Sequence, residues 1–201
     1  MLRLENIYPI ESDSTTDALS DMGDRKWAAI DVETGGLDCM RHALLSVAVY
    51  LPEEGTETIY IKPEGEIEED ALKINHIDLA YCAHGCSRGW AAKWLADKLH
   101  DRVIVGHSVG FDLGFLLWRI YRLPPSPESG VLLKFLRCVD TYKLARDLYP
   151  DQKHDLGTTA QTLGIEVDES RRHDAGYDAW LCGQVYTQMR RKAEGSNAES
   201  D

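Results

Sequence analysis

The sequence has no apolar run long enough to cross a bilayer, which takes about 20 predominantly apolar residues. Its first 14 residues also lack the basic start and apolar segment of a secretory signal. We therefore expect no membrane association and a cytoplasmic location.

Cysteine is scarce, and the five cysteines are scattered along the chain. An odd number, in a chain too large to need covalent cross-links, favours reduced thiols over a disulfide framework. His76, Cys82, His84 and Cys86 include the ligand types of a structural zinc site. Their spacing matches no zinc finger, so we favour core or surface thiols.

Basic residues are outnumbered, with 22 Lys and Arg against 34 Asp and Glu and a net charge of −12. Such a charge argues against a protein that binds nucleic acid through bulk electrostatics. Residues 119–146 are an exception, because they hold six basic residues against Glu128 and Asp140. This segment is either a locally basic face or a solvated surface.

Length and composition favour a single domain, since 201 residues with 43% apolar content fit the usual size of about 100 to 200 residues. We place the domain at residues 25–192. A polar extension at 1–24 precedes it, and a tail at 193–201, which has no apolar pattern, is predicted to be disordered.

Apolar runs of strand length open this domain. The run that begins at Trp27 and the runs at 43–51 and 56–61 predict three consecutive strands in an antiparallel meander. Residues 103–105 are wholly apolar, which is typical of a strand covered on both faces, and another strand is predicted near 136–139.

Helical periodicity dominates the rest of the chain. The predicted helices are 68–75, 87–100, 108–122, 140–148, 156–163 and 175–190. Ser108 and Asp140 are the predicted caps of two of them, and the second should bury Trp90, Trp94, Leu95 and Leu99. The whole succession predicts an α/β domain with a mixed central sheet and helices on both faces.

Two acids stand one residue apart at the end of the first strand. Successive strand side chains alternate faces, so Asp31 and Glu33 project from the same face. Two neighbouring carboxylates on a core strand are costly unless a cation lies between them. The pattern predicts a metal site to which other parts of the chain contribute ligands.

Asp112 can reach this site, because it lies in the first turn of the helix after the 103–105 strand. The alternative is that Asp112 only complements the helix dipole. His173 and Asp178 flank the start of the last helix. Residues five apart lie about 140° apart around a helix, so these two converge only if His173 lies in the preceding loop.

A loop histidine beside a metal-bound carboxylate suits a general base, since imidazole titrates near neutral pH. The alternative is an ordinary surface histidine. Asp174 either acts electrostatically on His173 or caps the last helix, and we favour the cap.

Three segments together resemble a known family. They are Asp31-Val32-Glu33-Thr34-Gly35-Gly36-Leu37, Gly106-His107-Ser108-Val109-Gly110-Phe111-Asp112, and His173 with Asp178. They look like the three motifs of the DEDDh 3′–5′ exonucleases, the DnaQ-like group that contains ribonuclease T and the proofreading subunit of bacterial DNA polymerase III. The resemblance covers roughly residues 25–190.

The resemblance implies a ribonuclease-H-like fold and stepwise hydrolysis of phosphodiesters from a 3′ end with two divalent ions, Mg²⁺ or Mn²⁺. The implied metal ligands are Asp31, Glu33, Asp112 and Asp178, and the implied base that deprotonates the attacking water is His173. Carboxylate oxygens suit these hard ions, which lie about 3.5–4 Å apart in two-metal sites.

The resemblance also implies substrate-binding residues: Thr34, Gly35, Leu37, His107 and Phe111. The glycines would let the backbone approach the terminal nucleotide. Gly35 stands where many members have threonine, and Ser108 where many have asparagine. These departures leave the details of 3′-end binding open, but not the metal site.

Single-stranded or frayed 3′ ends of DNA are the first substrate hypothesis, and short RNA or RNA 3′ ends are the alternative. The candidate protein partners are a DNA polymerase and a second copy of the chain. Candidates for base stacking are Phe111, Trp118, Tyr142 and Tyr177, although core packing is the favoured role of each.

Two other classes of protein remain to be weighed. A catalytically silent nucleic-acid-binding module is a second alternative, against which the presence of all five catalytic residue types weighs. The His173-Asp174 pair superficially fits a metal phosphohydrolase, but its further ligand would have to be Asp201 in the tail, so we discount that class. The sequence has no glycine-rich Lys-Ser/Thr phosphate loop.

Overall fold

A computed structural model describes residues 25–122 and 138–198. Four of the sequence-based predictions concern residues outside these ranges. They are the extension at 1–24, the basic residues Lys134 and Arg137, the strand start near Leu136, and residues 199–201 of the tail. The extension at 1–24, the domain at 25–192 and the disorder of residues 199–201 stay predictions.

A five-stranded mixed sheet forms the centre of the fold, in the order β3-β2-β1-β4-β5. The strands are β1 (Trp27–Thr34), β2 (Leu44–Leu51), β3 (Gly55–Tyr60), β4 (Val103–Gly106) and β5 (Cys138–Asp140). The pairs β1–β2 and β2–β3 are antiparallel, which confirms the meander, and β1–β4 and β4–β5 are parallel.

Seven α-helices lie in the described part of the chain. They are α1 (Glu69–Asn75), α2 (Leu79–Ala83), α3 (Arg88–Leu99), α4 (Val109–Phe115), α5 (Thr141–Leu148), α6 (Leu156–Thr162) and α7 (Ala175–Ala198). A short 3₁₀ turn, Glu169–Arg171, precedes α7. Side-chain caps stabilise the first turns of several helices. The side chain of Ser87 accepts the N–H of Trp90 in α3, and that of Asp140 accepts the N–H of Tyr142 in α5.

Helices cover both faces of the sheet, as the sequence predicted. On one face, Ile30, Val32 and Val47 pack with residues of α3 and α4, such as Leu95 and Leu113. On the other face, strands β1, β4 and β5 pack against α5, α6 and α7. The strand residues of this second core are Ala29, Val103, Val105 and Val139, and the helix residues include Leu144, Ala160, Leu181, Val185 and Met189.

The helix predicted at 108–122 differs from the structure. The α-helix ends at Phe115 and continues as a π-helical turn, Leu116–Ile120, because the N–H of Tyr121 donates to the carbonyl of Leu116 five residues back. The prediction that Ser108 caps this helix was wrong. Ser108 has a left-handed backbone with φ of 67°, and its side chain makes no capping hydrogen bond.

Two further predictions need correction, and one helix was missed. The last helix ends at Ala198 rather than near Arg190, so residues 193–198, assigned to a disordered tail, continue the helix. Helix α2 was not predicted, because five residues show too little periodicity. Trp90 is 51% exposed, although helical spacing placed it on the buried stripe with Leu95.

No helix in the described ranges is both long and apolar enough to cross a membrane.

The parallel pairing of β1, β4 and β5 determines where the candidate site lies. Parallel strands point their carboxyl ends to the same edge of a sheet, so the residues that follow these three strands meet there.

Candidate active site

The carboxyl end of β1 carries the two acids that the sequence singled out. Ala29 packs in the core beneath α7, whereas Val32 packs on the opposite face of the sheet. Because strand side chains alternate, Asp31 and Glu33 project toward the α7 face. The register shifts between Glu33 and Thr34, and such irregularities bend a strand where it leaves the sheet.

Asp112 reaches the same edge from the first turn of α4, where it is buried. Burial raises its pKa well above the ordinary value, and hydrogen bonds from the backbone groups of Asp112 and Val32 oppose this rise. The helix-dipole interpretation explains its place in the first turn. It does not explain why this carboxylate lies close enough to Asp31 to act on that residue electrostatically.

Asp178 enters the site from the first turn of α7 and is buried. Both of its carboxylate oxygens accept hydrogen bonds. Arg172 Nε donates to Oδ1 over 2.9 Å, and the backbone N–H of His173 donates to Oδ2 over 3.1 Å. Arg172 is the basic partner of this acid, and the sequence analysis gave it no role.

His173 lies in the loop before α7, as its convergence with Asp178 requires. Its backbone is left-handed, with φ of 64°, and its side chain is exposed. Asp174 Oδ1 accepts the N–H of Tyr177 over 2.9 Å, so Asp174 caps the last helix, as predicted.

The site carboxylates raise one another's pKa values. Burial is the largest cause for Glu33, whose pKa rises to about 9, and the charge of Asp178 is the next. Burial, then Asp112 and Glu33, raise the pKa of Asp31 well above the ordinary value. Burial also raises the pKa of Asp178, and Arg172 opposes that rise. The ionised cluster is therefore unfavourable without added positive charge.

A cavity of about 410 Å³ gathers most of the residues that the sequence nominated. Its lining includes Asp31, Glu33, Asp112, Asp178, His173, Thr34, Leu37, His107 and Phe111. A larger hollow of about 1080 Å³, beside β3 and the 166–171 segment, shares none of these residues. The structure thus brings the nominated side chains together, while their individual roles stay predictions.

Gly35 is the nominated residue that does not line this cavity. A Cβ on Gly35 would lie 2.6 Å from the carbonyl oxygen of Glu66, and a Cβ on Gly36 would lie 2.7 Å from the ring of His42. These glycines let the loop after β1 pack closely against the protein itself. Packing within the protein therefore explains the glycine at position 35 without the close approach of a nucleotide.

His107 lines the cavity, but its ring nitrogens already have protein partners. Nε2 lies 2.7 Å from the carbonyl oxygen of His154, and Nδ1 lies 3.0 Å from Thr141 Oγ1. Since a carbonyl can only accept, we assign the proton to Nε2. Burial lowers the pKa of His107, which favours this neutral form. His107 ties the turn after β4 to the 154 loop.

Asn75 is a site residue that the sequence analysis missed. Its amide Nδ2 donates to the carbonyl of Thr34 over 3.1 Å, and its Oδ1 accepts the N–H of Ile77 over 3.1 Å. Asn75 is buried and lines the cavity, which also has exposed Leu37 and Ile74 at its rim. The only signal in the sequence was an asparagine at the end of a predicted helix.

The donor set fits a hard divalent ion, because four carboxylates with raised or strongly raised pKa values line one cavity. Their present positions do not form a finished centre. Within 25–122 and 138–198, no group of three or more His, Cys, Asp or Glu side chains is arranged to hold a metal ion.

Cys82 belongs to the group of His and Cys residues that the sequence analysis considered as a zinc site. It is a buried thiol, and its sulfur lies 3.5 Å from the carbonyl oxygen of Leu45.

Comparisons with known proteins agree with this fold. The DNA polymerase III subunit epsilon of Buchnera aphidicola subsp. Schizaphis graminum is 30% identical over 130 residues, which are 65% of this chain and 55% of that protein. The chain spans about half the length of such curated relatives.

Two solved structures share the fold. Exonuclease X in complex with 5′ overhanging duplex DNA is 22% identical, with a TM-score of 0.60 over 84% of this chain and 93% of that one. S. pombe Pop2p in its Mg²⁺- and Mn²⁺-bound form is 15% identical, with a TM-score of 0.68 over 88% and 90%. The family model described as Exonuclease matches residues 28–186, which include nearly all of β1, together with β4, α4 and the start of α7. The chain therefore belongs to this exonuclease family.

Proposed function

We propose that this protein is a metal-dependent 3′–5′ exonuclease that removes nucleotides from the 3′ end of DNA. The observation that carries the proposal is the cavity in which Asp31, Glu33, Asp112 and Asp178 meet beside the exposed His173. Membership of the exonuclease family supports a nuclease reaction, and the cavity supplies the residue types that such a reaction needs.

Two divalent ions, Mg²⁺ or Mn²⁺, are the proposed cofactors, with the four carboxylates as their ligands. When bound, these ions would neutralise the carboxylates and polarise both water and the phosphodiester. A fold neighbour, Pop2p, is described with both ions bound. The raised pKa values of Asp31 and Glu33 support the proposal, since the charge of a bound cation would offset the effects of burial and of the neighbouring acids.

His173 is the proposed general base, which takes the proton from the attacking water. It lines the cavity, and its backbone N–H donates to Asp178, so the backbone of His173 is fixed close to a proposed metal ligand. A loop position before α7 also leaves the imidazole room to change its orientation when a substrate binds.

An unpaired 3′ end is the proposed substrate. A second cavity of about 320 Å³ shares Glu33, Asn75 and His173 with the first. Tyr60 and Tyr81 line it, stacked with ring centroids 5.4 Å apart, and Tyr81 is 62% exposed. Aromatic rings beside a catalytic cavity suit the stacking of unpaired bases.

DNA is preferred over RNA in this proposal because one relative is named as a DNA polymerase III subunit and one fold neighbour holds DNA. A DNA polymerase is accordingly the proposed protein partner. The homodimer and the cytoplasmic location stay predictions.

The test uses matched 5′-labelled single-stranded DNA and RNA oligonucleotides with Mg²⁺, Mn²⁺ or EDTA. Asp31→Asn is assayed in parallel with Asp97→Asn, which removes the same charge from an exposed position on α3. We expect a metal-dependent ladder that shortens from the 3′ end, is lost in Asp31→Asn and is retained in Asp97→Asn.

Other outcomes would change the proposal. Faster shortening of RNA would favour the exoribonuclease alternative. If neither polymer is cleaved with either metal, the proposed reaction is wrong and a catalytically silent binding module is favoured. Cleavage by Asp31→Asn at the wild-type rate would remove the metal-site assignment.

A further inference from the structure

Arg172 forms a nearly buried ion pair with Asp178, which lines the candidate active-site cavity. Its Nε lies 2.9 Å from Asp178 Oδ1, and the side chains of Arg172 and Asp178 are only 13% and 8% exposed. The neighbouring Arg171 is exposed, and its guanidinium lies 4.8 Å from the ring centre of Tyr177. Two adjacent arginines thus have different environments, and only one of them is bonded to a proposed metal ligand.

The guanidinium of Arg172 is held in a defined slot. It packs over Gly157 at the start of α6, where an added Cβ would collide with Nη1. The backbone of Arg172 is extended directly after the 3₁₀ turn Glu169–Arg171, and Arg172 lines the neighbouring cavity of about 320 Å³. A glycine at 157 therefore makes room for this arginine.

This cation takes part in the electrostatics of the whole carboxylate cluster. Burial and the charges of Asp112, Glu33 and Asp178 raise the pKa of Asp31, and Arg172 is the positive charge that opposes them. A single guanidinium thus does part of the neutralisation that divalent ions would do if they bound there.

A metal ion and this guanidinium cannot share Asp178 without cost. Oδ1 accepts the Nε–H of Arg172 and Oδ2 accepts the backbone N–H of His173, so each oxygen of Asp178 keeps only part of its lone-pair capacity for a metal ion. A divalent ion coordinated by Asp178 would also lie next to the guanidinium, and two cations repel strongly in a partly buried site.

We propose that Arg172 is a positioning residue that holds Asp178 in the metal-free protein and gives up this carboxylate when a divalent ion binds. Metal binding and the Arg172–Asp178 ion pair then exclude each other. The inference rests on the metal centre proposed above.

The test measures Mn²⁺ binding in the full chain by titration calorimetry, without substrate. Arg172→Met removes the guanidinium but keeps an apolar stem, and Arg171→Met removes the same charge one residue away. Gly157→Ala is an independent variant, since it keeps the arginine but displaces it from its slot. We expect Arg172→Met to bind Mn²⁺ about tenfold or more tightly than Arg171→Met, with Gly157→Ala between them.

A second measurement follows the wild-type protein and uses a conservative variant, Arg172→Lys, only to assign one resonance. The Nε–H resonance of Arg172, assigned by its loss in Arg172→Lys, should be protected from solvent exchange in EDTA and lose that protection as Mg²⁺ is added. This readout decides the question if Arg172→Met fails to fold.

The outcomes separate the inference from the metal centre. Equal or weaker Mn²⁺ binding by Arg172→Met than by Arg171→Met, or an Nε–H resonance that Mg²⁺ leaves unchanged while the wild type binds the ion, would overturn the role of Arg172 alone. If wild type and variants all fail to bind Mn²⁺, the proposed metal centre is wrong, and this inference with it.

Discussion

Asp140 Oδ1 accepts a hydrogen bond from the backbone N–H of Ser108 over 2.9 Å, which joins the end of β5 to the turn after β4. The same oxygen accepts the N–H of Tyr142 over 3.1 Å and so caps α5. Asp140 is buried, and Ser108 has a left-handed backbone that the turn into α4 requires. One carboxylate therefore fixes the turn that places Asp112 in the site.

We predict that Asp140→Ala lowers the free energy of unfolding by about 1–3 kcal/mol, because it leaves two backbone N–H groups without their acceptor. Asp140→Asn keeps an oxygen at the same place and should lose less. Urea denaturation of the two variants in EDTA measures the difference. If alanine and asparagine cost the same, the hydrogen bonds are not what stabilises this turn.

The loop after β1 gives a second prediction. Gly35→Ala should lower the free energy of unfolding by about 1–3 kcal/mol, because its Cβ would lie 2.6 Å from the backbone oxygen of Glu66. Gly89→Ala on α3 is the matched control, since nothing lies within 4 Å of its Cβ, and it should be neutral or stabilise by up to about 1 kcal/mol. Thermal unfolding of both variants tests this; equal stability would contradict the packing argument.

The strands and the two acids of β1 could be predicted because their signals are local. Side chains alternate between the two faces of a strand, so Asp31 and Glu33 share a face regardless of which helix packs on it. Helix bounds and caps near Asp140 and Asp174 followed from residue types within a few positions. The π-helical turn after Phe115 could not be predicted, since its buried residues, Leu116, Leu117 and Ile120, also fit an ordinary helical pattern.

The missed residues depend on contacts between distant parts of the chain. Arg172 has a role only because Gly157 leaves a slot beside it, and Gly35 is constrained only because the 66–67 segment returns to the β1 loop. Helical spacing placed Trp90 with Leu95, but it could not show that the fold buries Leu95 and leaves Trp90 exposed. Sequence reasoning therefore identified the acids and missed the groups that position them.

The raised pKa of Glu33 predicts how the stability of the metal-free protein depends on pH. The folded state binds this proton more tightly than the unfolded chain, since the pKa rises from 4.5 to about 9. The contribution of Glu33 to stability is fully present below pH 4.5 and is lost as the pH rises toward about 9. Glu33→Gln cannot titrate, so the stability of the wild type relative to this variant should fall across that window.

Denaturation in EDTA at a series of pH values measures this difference. Glu166→Gln, at an exposed position outside the cavity, is the control and should follow the wild type. A wild-type stability that stays constant relative to Glu33→Gln would show that burial and the neighbouring acids do not act on Glu33 as argued. Added Mg²⁺ should oppose the loss, because a metal ion stabilises the ionised carboxylates.

His173 should matter for turnover and little for stability, because its side chain is exposed while its backbone N–H holds Asp178. We predict that His173→Asn lowers the turnover number by about 10²–10⁴, the usual contribution of a general base. Asparagine is the variant of choice because it tolerates the left-handed backbone at φ of 64°, whereas alanine would add strain. Mn²⁺ affinity and the unfolding temperature should stay near the wild-type values, and His84→Asn, at an exposed position after α2, should leave all three unchanged. If His173→Asn keeps normal turnover, another group deprotonates the water; if it unfolds the protein, His173 is a structural residue and its exposure does not describe its role.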